Sequence, residues 1–255
     1  YRQFDHLHPS HLVVTNFFRD QLDRAGEMET IIRKIMAVTK DFTGTLILNG
    51  DDPNVLRLKD NAEKAKTLLF SVGKNEESLL ETDEASEGKF CPRCGNRLHY
   101  DYYQYSHIGR FNCPKDHYGE ITPDIFVEKV DKEKGTFIVN NTEFHSFINA
   151  LYAIYNCASV LCVMKSLKLD LSNANKVFRT YSLKEGRNEE FNLNKPCIIN
   201  LIKNPTGANE VMKEINSHEE DKMICIFLND NDQDGHDISW IWDAHFERLN
   251  QKNIK

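Results

Sequence analysis

The chain has no excess of positive charge, no apolar run long enough to cross a bilayer and no ATP-binding GxxGKT loop. Lys and Arg number 32 against 39 Asp and Glu, a formal net charge of -7, and the pI lies near 5.8. Nucleic-acid binding rests on a basic surface that neutralises phosphates, so nucleic acid is not expected as the main partner. A bilayer span needs about 20 consecutive apolar residues, and none is found. No charged-then-apolar segment opens the chain as a secretory signal would. The expectation is a soluble, cytoplasmic protein. No internal repeat is visible, and with 40% hydrophobic and 28% charged residues the 255-residue chain is not of disordered composition.

Among what is present, seven cysteines stand out because the number is odd and the spacing uneven. Cys157, Cys162, Cys197 and Cys225 lie in apolar stretches and read as small core residues of a reducing compartment. Cys91, Cys94 and Cys113 belong to CPRCGNRLHYDYYQYSHIGRFNCPKDHYG. There a CPxCG turn aims two thiols at one point, and a second turn across a short hairpin supplies further donors. The spacing is that of a zinc ribbon, in which four protein ligands close a structural Zn2+ site and leave no open position for catalysis. The second CxxC is broken. Asp116 stands where the fourth cysteine belongs, and His117, one residue on, is expected as the fourth ligand, with Asp116 the alternative. His99 and His107 are expected at the surface of the hairpin. Arg93, Arg97, Arg110 and Lys115 beside tyrosines would permit nucleic-acid contact, but an insert in an acidic protein fits a structural or docking role better.

Strand and helix signals alternate on either side of this insert. HLVVTN, TLILNGDDP and TLLFSVG read as strands, and METIIRKIMAVTK and the charged stretch Val55 to Lys66 as helices. KNEESLLETDEASEGK reads as a solvated connector. Further on, DIFVEKVDKEKGTFIVN suggests two strands about a turn at Lys132 to Gly135. EFHSFINALYAIYNCASVLCVMKSLKL suggests one long helix, with another near Leu171 to Tyr181. After GRNEEF, CIINLIKNP and KMICIFLND read as strands around the helix GANEVMKEINS. The fold class is α/β. Residues 1–185 are expected as a central domain of mostly parallel sheet and helices with a zinc-ribbon insert at 90–122, and 186–255 as part of a C-terminal α/β, Rossmann-like domain.

The ordered blocks TNFFRDQLDRAGE, LILNGDDP, LYAIYNCASV, GRNEEF, NLIKNPTG and DGHDISWIWD resemble the Mur ligase family, and within it the MurT-type amidating branch, which carries a zinc-ribbon insert. The resemblance implies ATP-dependent activation of a carboxylate as an acyl phosphate, with Mg2+ on the phosphates. It implies amidation of the D-glutamate α-carboxylate of lipid II to D-isoglutamine, with ammonia from a GatD-type glutaminase partner. It further implies a nucleotide and magnesium edge at Asn16, Gln21, Asn49 and Asp52, where Gln21 replaces a histidine usual in related ligases. Asn156 matches an asparagine associated with the adenine and Arg187 an arginine suited to phosphates. Lys203 and Asn204 stand where the family contacts substrate or phosphate. Asp243, or failing it Asp237, is implied as the carboxylate that completes the partner's Cys-His-Asp triad. The alternatives are another Mur-type amino acid ligase, or a non-catalytic zinc-ribbon interaction or nucleic-acid-binding protein. The family's P-loop is expected before Tyr1, so the chain is expected to be part of a longer one and inactive as a ligase by itself.

Overall fold

The computed structural model describes residues 7–18, 27–82, 84, 87–181, 186–229 and 238–255, with Arg187 and Leu193 described by their backbone alone. Two compact units divide the chain: residues 1–17 with 32–181, and residues 18–31 with 182–255. The break after Tyr181 falls just before the boundary expected at 185. The grouping of 18–31 with the second unit has no signal in the sequence pattern. The expected site residues Gln21 and Asp237 lie outside the described residues, as does the side chain of Arg187.

In the first unit β1 (His11–Val14), β2 (Thr45–Asn49), β3 (Lys66–Val72) and β6 (Ile125–Asp131) run parallel, and β7 (Thr136–Val139) and β8 (Thr142–His145) complete the sheet antiparallel. The order is β1-β2-β3-β6-β7-β8. Burial on both faces is why β2 and β3 read as nearly continuous apolar runs, with Leu46, Ile47, Leu48 and Phe70 fully buried. Helices α1 (Met28–Thr39) and α2 (Pro53–Asn61) make the first two crossovers. The parallel step from β3 to β6 also requires a crossover. Residues 73–124 supply it, and they carry the separate two-stranded hairpin of β4 (His99–Tyr105) and β5 (Ile108–Asn112).

Helix α3 (Leu151–Ser166) packs across β1, β2, β3 and β6. It is shorter than the apolar pattern suggested, because Thr142–His145 pair with β7 instead. Asn140 and Asn141 both have positive φ, 50° and 59°. Asparagine tolerates that region, and two such residues make the tight turn whose twist suits a hairpin. Phe144 then stacks on Phe137, ring centroids 5.6 Å apart. The helix expected near Leu171 to Tyr181 is a 3-10 turn (Leu171–Asn173) followed by the short α4 (Ala174–Phe178).

In the second unit β9 (Arg187–Leu193) pairs antiparallel with β10 (Lys195–Asn200), and α5 (Pro205–Ser217) follows. Ala208 and Met212 of α5 pack with Ala244, Trp240, Phe246 and Leu249. Among its described residues, 222–229, the segment expected as a strand at KMICIFLND forms no strand: Lys222 and Ile224 bond to Asn253 and Lys255, and Phe227 is 93% exposed. A strand needs a neighbouring ladder for its backbone groups, so hydrophobicity alone does not make one. Of the four cysteines expected in the core, Cys157 and Cys162 on α3 are buried, but Cys197 and Cys225 in this open unit are exposed.

Candidate functional site

The ribbon is built from two similar turns. In CPRCG the amide of Gly95 donates to Cys91 O (2.9 Å) and the amide of Cys91 to Asn96 O (2.8 Å). In CPKDH the amide of His117 donates to Cys113 O (3.0 Å) and that of Cys113 to Tyr118 O (2.7 Å). Asp116 therefore occupies the place of Cys94, and His117 the place of Gly95. Both Gly95 and His117 have positive φ, 72° and 60°. One ligand atom from each of Cys91, Cys94, Cys113 and Asp116 lies within 4.8 Å of the others. Cys94 Sγ is 3.6 Å from Cys113 Sγ, and Cys91 Sγ is 3.3 Å from Asp116 Oδ2. With bonds of about 2.3 Å to sulfur, a tetrahedral ion needs edges of about 3.8 Å, so three thiolates and a carboxylate fit Zn2+ or a similar ion. The expected fourth ligand His117 is displaced from this group: its ring is exposed and its Nδ1 sits 2.7 Å from Glu120 Oε1. The residue in the left-handed position of such a turn points its side chain away from the centre.

Charge at the centre fits a cation. Burial pushes the Cys91 thiol up to about 12, so thiolate formation there calls for a positive partner. Burial also raises Asp116, but the Tyr118 amide and the thiols of Cys94, Cys91 and Cys113 outweigh it and hold the carboxyl at about 2. Four of the ribbon's aromatic residues, Tyr102, Tyr105, Phe111 and Tyr118, are buried and cannot stack on bases.

At the carboxyl ends of the parallel strands, where α/β sheets place ligands, the NGDDP turn organises a second cluster. Asn49 donates to Thr15 O (2.9 Å) and accepts from the Asp51 amide (3.0 Å), tying the ends of β1 and β2 together. Exposed Asn16 lies beside it, donating to Thr15 Oγ1 (3.2 Å). Asp52 is fully buried and caps α2: Oδ1 accepts from the amides of Asn54 (2.8 Å) and Val55 (3.2 Å), and Oδ2 from that of Phe17 (2.8 Å). Expected as a cofactor-binding group, it is occupied as an N-cap, and Pro53 at the first helical position suits that cap.

Its neighbour Asp51, in the same NGDDP turn, reads from sequence only as part of a strand end near the nucleotide. It is fully buried and accepts from Ser71 Oγ (2.7 Å), the Val72 amide (2.8 Å) and Tyr155 Oη (2.8 Å). Burial pushes its carboxyl up to about 6, against those three hydrogen bonds. Two successive aspartates before a helix were the available signal, since only one can be the cap. Through Tyr155 this turn is tied to α3, on which Asn156 is exposed rather than buried as a core polar group. His107 departs from expectation in the other direction. It is fully buried, with Nε2 3.5 Å from Asp52 Oδ1.

Within the second unit Lys203 is exposed, and Asn204 caps α5 by accepting from the Gly207 amide (2.8 Å). Asn204 Oδ1 is thus engaged in capping, where a substrate contact was expected. Trp240 packs into the small core while Trp242 is 86% exposed, and Asp243 closes the 3-10 turn Ser239–Asp243.

Residues 2–114 match the Mur ligase middle domain and residues 201–255 the MurT ligase C-terminal domain. The chain is 34% identical over 249 residues to the lipid II isoglutaminyl synthase (glutamine-hydrolyzing) subunit MurT of Staphylococcus aureus strain COL, covering 97% of this chain and 56% of that protein. With the subunit of the same name from Streptococcus pneumoniae strain ATCC BAA-255 / R6 the identity is 32% over 257 residues, again 56% of its length. The chain thus spans a little over half the length of these relatives. A pseudomurein peptide ligase type C from Methanothermus fervidus shares the fold with a TM-score of 0.67 at 22% identity, over 83% of this chain and 42% of that one. MurF from Acinetobacter baumannii shares it with a TM-score of 0.57 at 12% identity, over 85% and 39%. With a Mur ligase middle domain and a MurT ligase C-terminal domain matched in order, and identity to MurT subunits extending over 97% of this chain, the chain is similar to the MurT branch of the Mur ligase family.

Proposed function

We propose that this chain supplies the central and C-terminal parts of an ATP-dependent amidating ligase, which converts the D-glutamate α-carboxylate of lipid II to D-isoglutamine in the cytoplasm. ATP with Mg2+ activates the carboxylate as an acyl phosphate, and ammonia from a GatD-type glutaminase displaces the phosphate. The observation that carries this reading is the continuous likeness, over 97% of the chain, to a subunit named for that synthase. Exposed Asn16 at the strand end and exposed Asn156 on the neighbouring helix offer neutral donors and acceptors suited to a nucleotide, and buried Asn49 holds that strand end in place. Arg187 is assigned to its phosphates and Gln21 to the magnesium side. Lys203 supplies a cation at the substrate side, where Asn204 holds the start of α5. Zn2+ in the ribbon, held by Cys91, Cys94, Cys113 and Asp116, is structural, because all four positions are filled by protein.

For the partner, Asp243 is assigned to fix the glutaminase histidine in its productive tautomer, and exposed Trp242 beside it to anchor the interface, as buried aromatic residues commonly do. Asp237 is the second choice for that carboxylate. The test is glutamine hydrolysis and lipid II amidation by the assembled ligase–glutaminase complex. Asp243→Asn is expected to lower glutamine turnover at least about 100-fold while the complex still assembles. Trp242→Ala is expected to weaken assembly itself. Unchanged hydrolysis with Asp243→Asn removes the residue from the triad role, and a complex that releases no amidated lipid II overturns the function.

A further inference from the structure

We propose that His107 is a positioning residue for the Asn49–Asp52 turn, and that metal in the ribbon determines how firmly the turn is held. The inference rests on reading that turn as the nucleotide edge. The β4–β5 hairpin bends at Ser106, whose φ is 47°, and this sends His107 inward against the cap of α2, 3.5 Å from Asp52 Oδ1. Tyr100 Oη donates to His107 O (3.1 Å) and fixes the bend. Two residues on, the Gly109 amide donates to Asp51 O (3.0 Å). A Cβ at Gly109 would collide with Tyr102 O on the facing strand, so the closeness of β4 to β5 at this point depends on glycine.

The ribbon grips both flanks of the turn. Gln104 Nε2 donates to Val72 O (3.1 Å) and Gly73 O (3.0 Å) at the end of β3. On the other flank, Tyr118 Oη donates to Pro53 O in the first turn of α2. Arg93 forms a bidentate pair with Asp60 near the end of that helix, both contacts 2.7 Å. Asp52 therefore meets backbone amides on one side and the ribbon on the other. A two-stranded hairpin is marginal by itself, and a closed metal site supplies the missing cross-link. Release of the metal frees the ribbon, and the turn loses its outer wall.

Amide hydrogen exchange on this chain, zinc-loaded and chelated, tests the proposal. Chelation is expected to speed exchange at Phe17, Asp51 and Asn54 at least about tenfold while the β7 amides keep their rates. His107→Ala in the zinc-loaded chain is expected to speed the same turn amides with Gly95 and His117 still protected, and His107→Gln to restore part of the protection. If His107→Ala does not fold, Arg93→Ala loosens the ribbon from its exposed side and is expected to give the same acceleration. Turn amides that keep their rates once the ribbon has opened, or an equal acceleration that includes β7, overturn the proposal. Either result leaves the nucleotide reading standing. That reading is tested separately: Asn156→Ala is expected to lower ATP affinity at least about tenfold in the assembled complex, by removing a direct contact.

Discussion

Asp116 and His117 are adjacent in sequence and opposite in direction: the Asp116 carboxylate lies 3.3 Å from Cys91 Sγ, while the His117 ring turns outward to Glu120 at 2.7 Å. Asp116→Ala is therefore expected to weaken Zn2+ or Co2+ binding at least about 100-fold, since one of four ligands is lost. His117→Ala is expected to change it by less than about threefold. Competition with a chromophoric chelator measures both. Asp116→Cys, which restores a second CxxC, is expected to bind more tightly than the native chain and to strengthen the thiolate-to-cobalt absorption.

The positive φ of His117 carries a backbone cost that glycine would not bear. His117→Gly is expected to raise the stability of the metal-loaded chain by about 1 kcal/mol, read as a higher urea midpoint at unchanged slope. A lower midpoint would mean that the exposed pair with Glu120 outweighs the backbone term.

Asp51 gives stability a definite pH dependence. Its folded carboxyl titrates near 6 against an ordinary value of 3.8. Between those values the folded chain keeps a proton that the unfolded chain has released. The contribution is thus fully present below about pH 4 and is lost as pH rises through 6, by roughly 3 kcal/mol in all. Asp51→Asn can accept from the Val72 amide and Tyr155 through its oxygen while donating to Ser71 Oγ. Urea unfolding of the two chains between pH 4 and 7 is expected to show this slope in the native chain and its disappearance in the variant.

Asp52→Ala strips an N-cap and leaves the buried Phe17 amide without its carboxylate. A loss of about 2–4 kcal/mol is expected, with Asp52→Asn losing less because it still caps the helix. Denaturant unfolding at constant metal loading is the measurement.

Much of this fold was legible because parallel strands buried on both faces announce themselves: TLILN and TLLFSV needed no context. The hairpin around Gly135 was equally plain. What escaped was decided by local backbone geometry or by partners distant in sequence. Asn140 and Asn141 turned the start of an apparent helix into β8, and an apolar pattern cannot register a left-handed turn. KMICIFLND had strand composition, but its described residues form no strand. At the site, the three cysteines were visible from spacing, whereas the choice of Asp116 over His117 required aligning CPKDH with CPRCG position by position. The roles of Asp51 and His107 depend on partners distant in sequence: Ser71, Val72 and Tyr155 for Asp51, and for His107 the fold of the hairpin back onto Asp52.

The ribbon's place between β3 and β6 also bears on how the chain reaches its native state. Those strands pair parallel across residues 73–124, and the entropy lost in closing so long a loop must be met before their ladder gives anything back. A metal ion that ties Cys91 and Cys94 to Cys113 and Asp116 shortens the slack in that loop before the sheet forms. A metal held there would thus act on how readily β3 and β6 find each other, as well as on the ribbon itself.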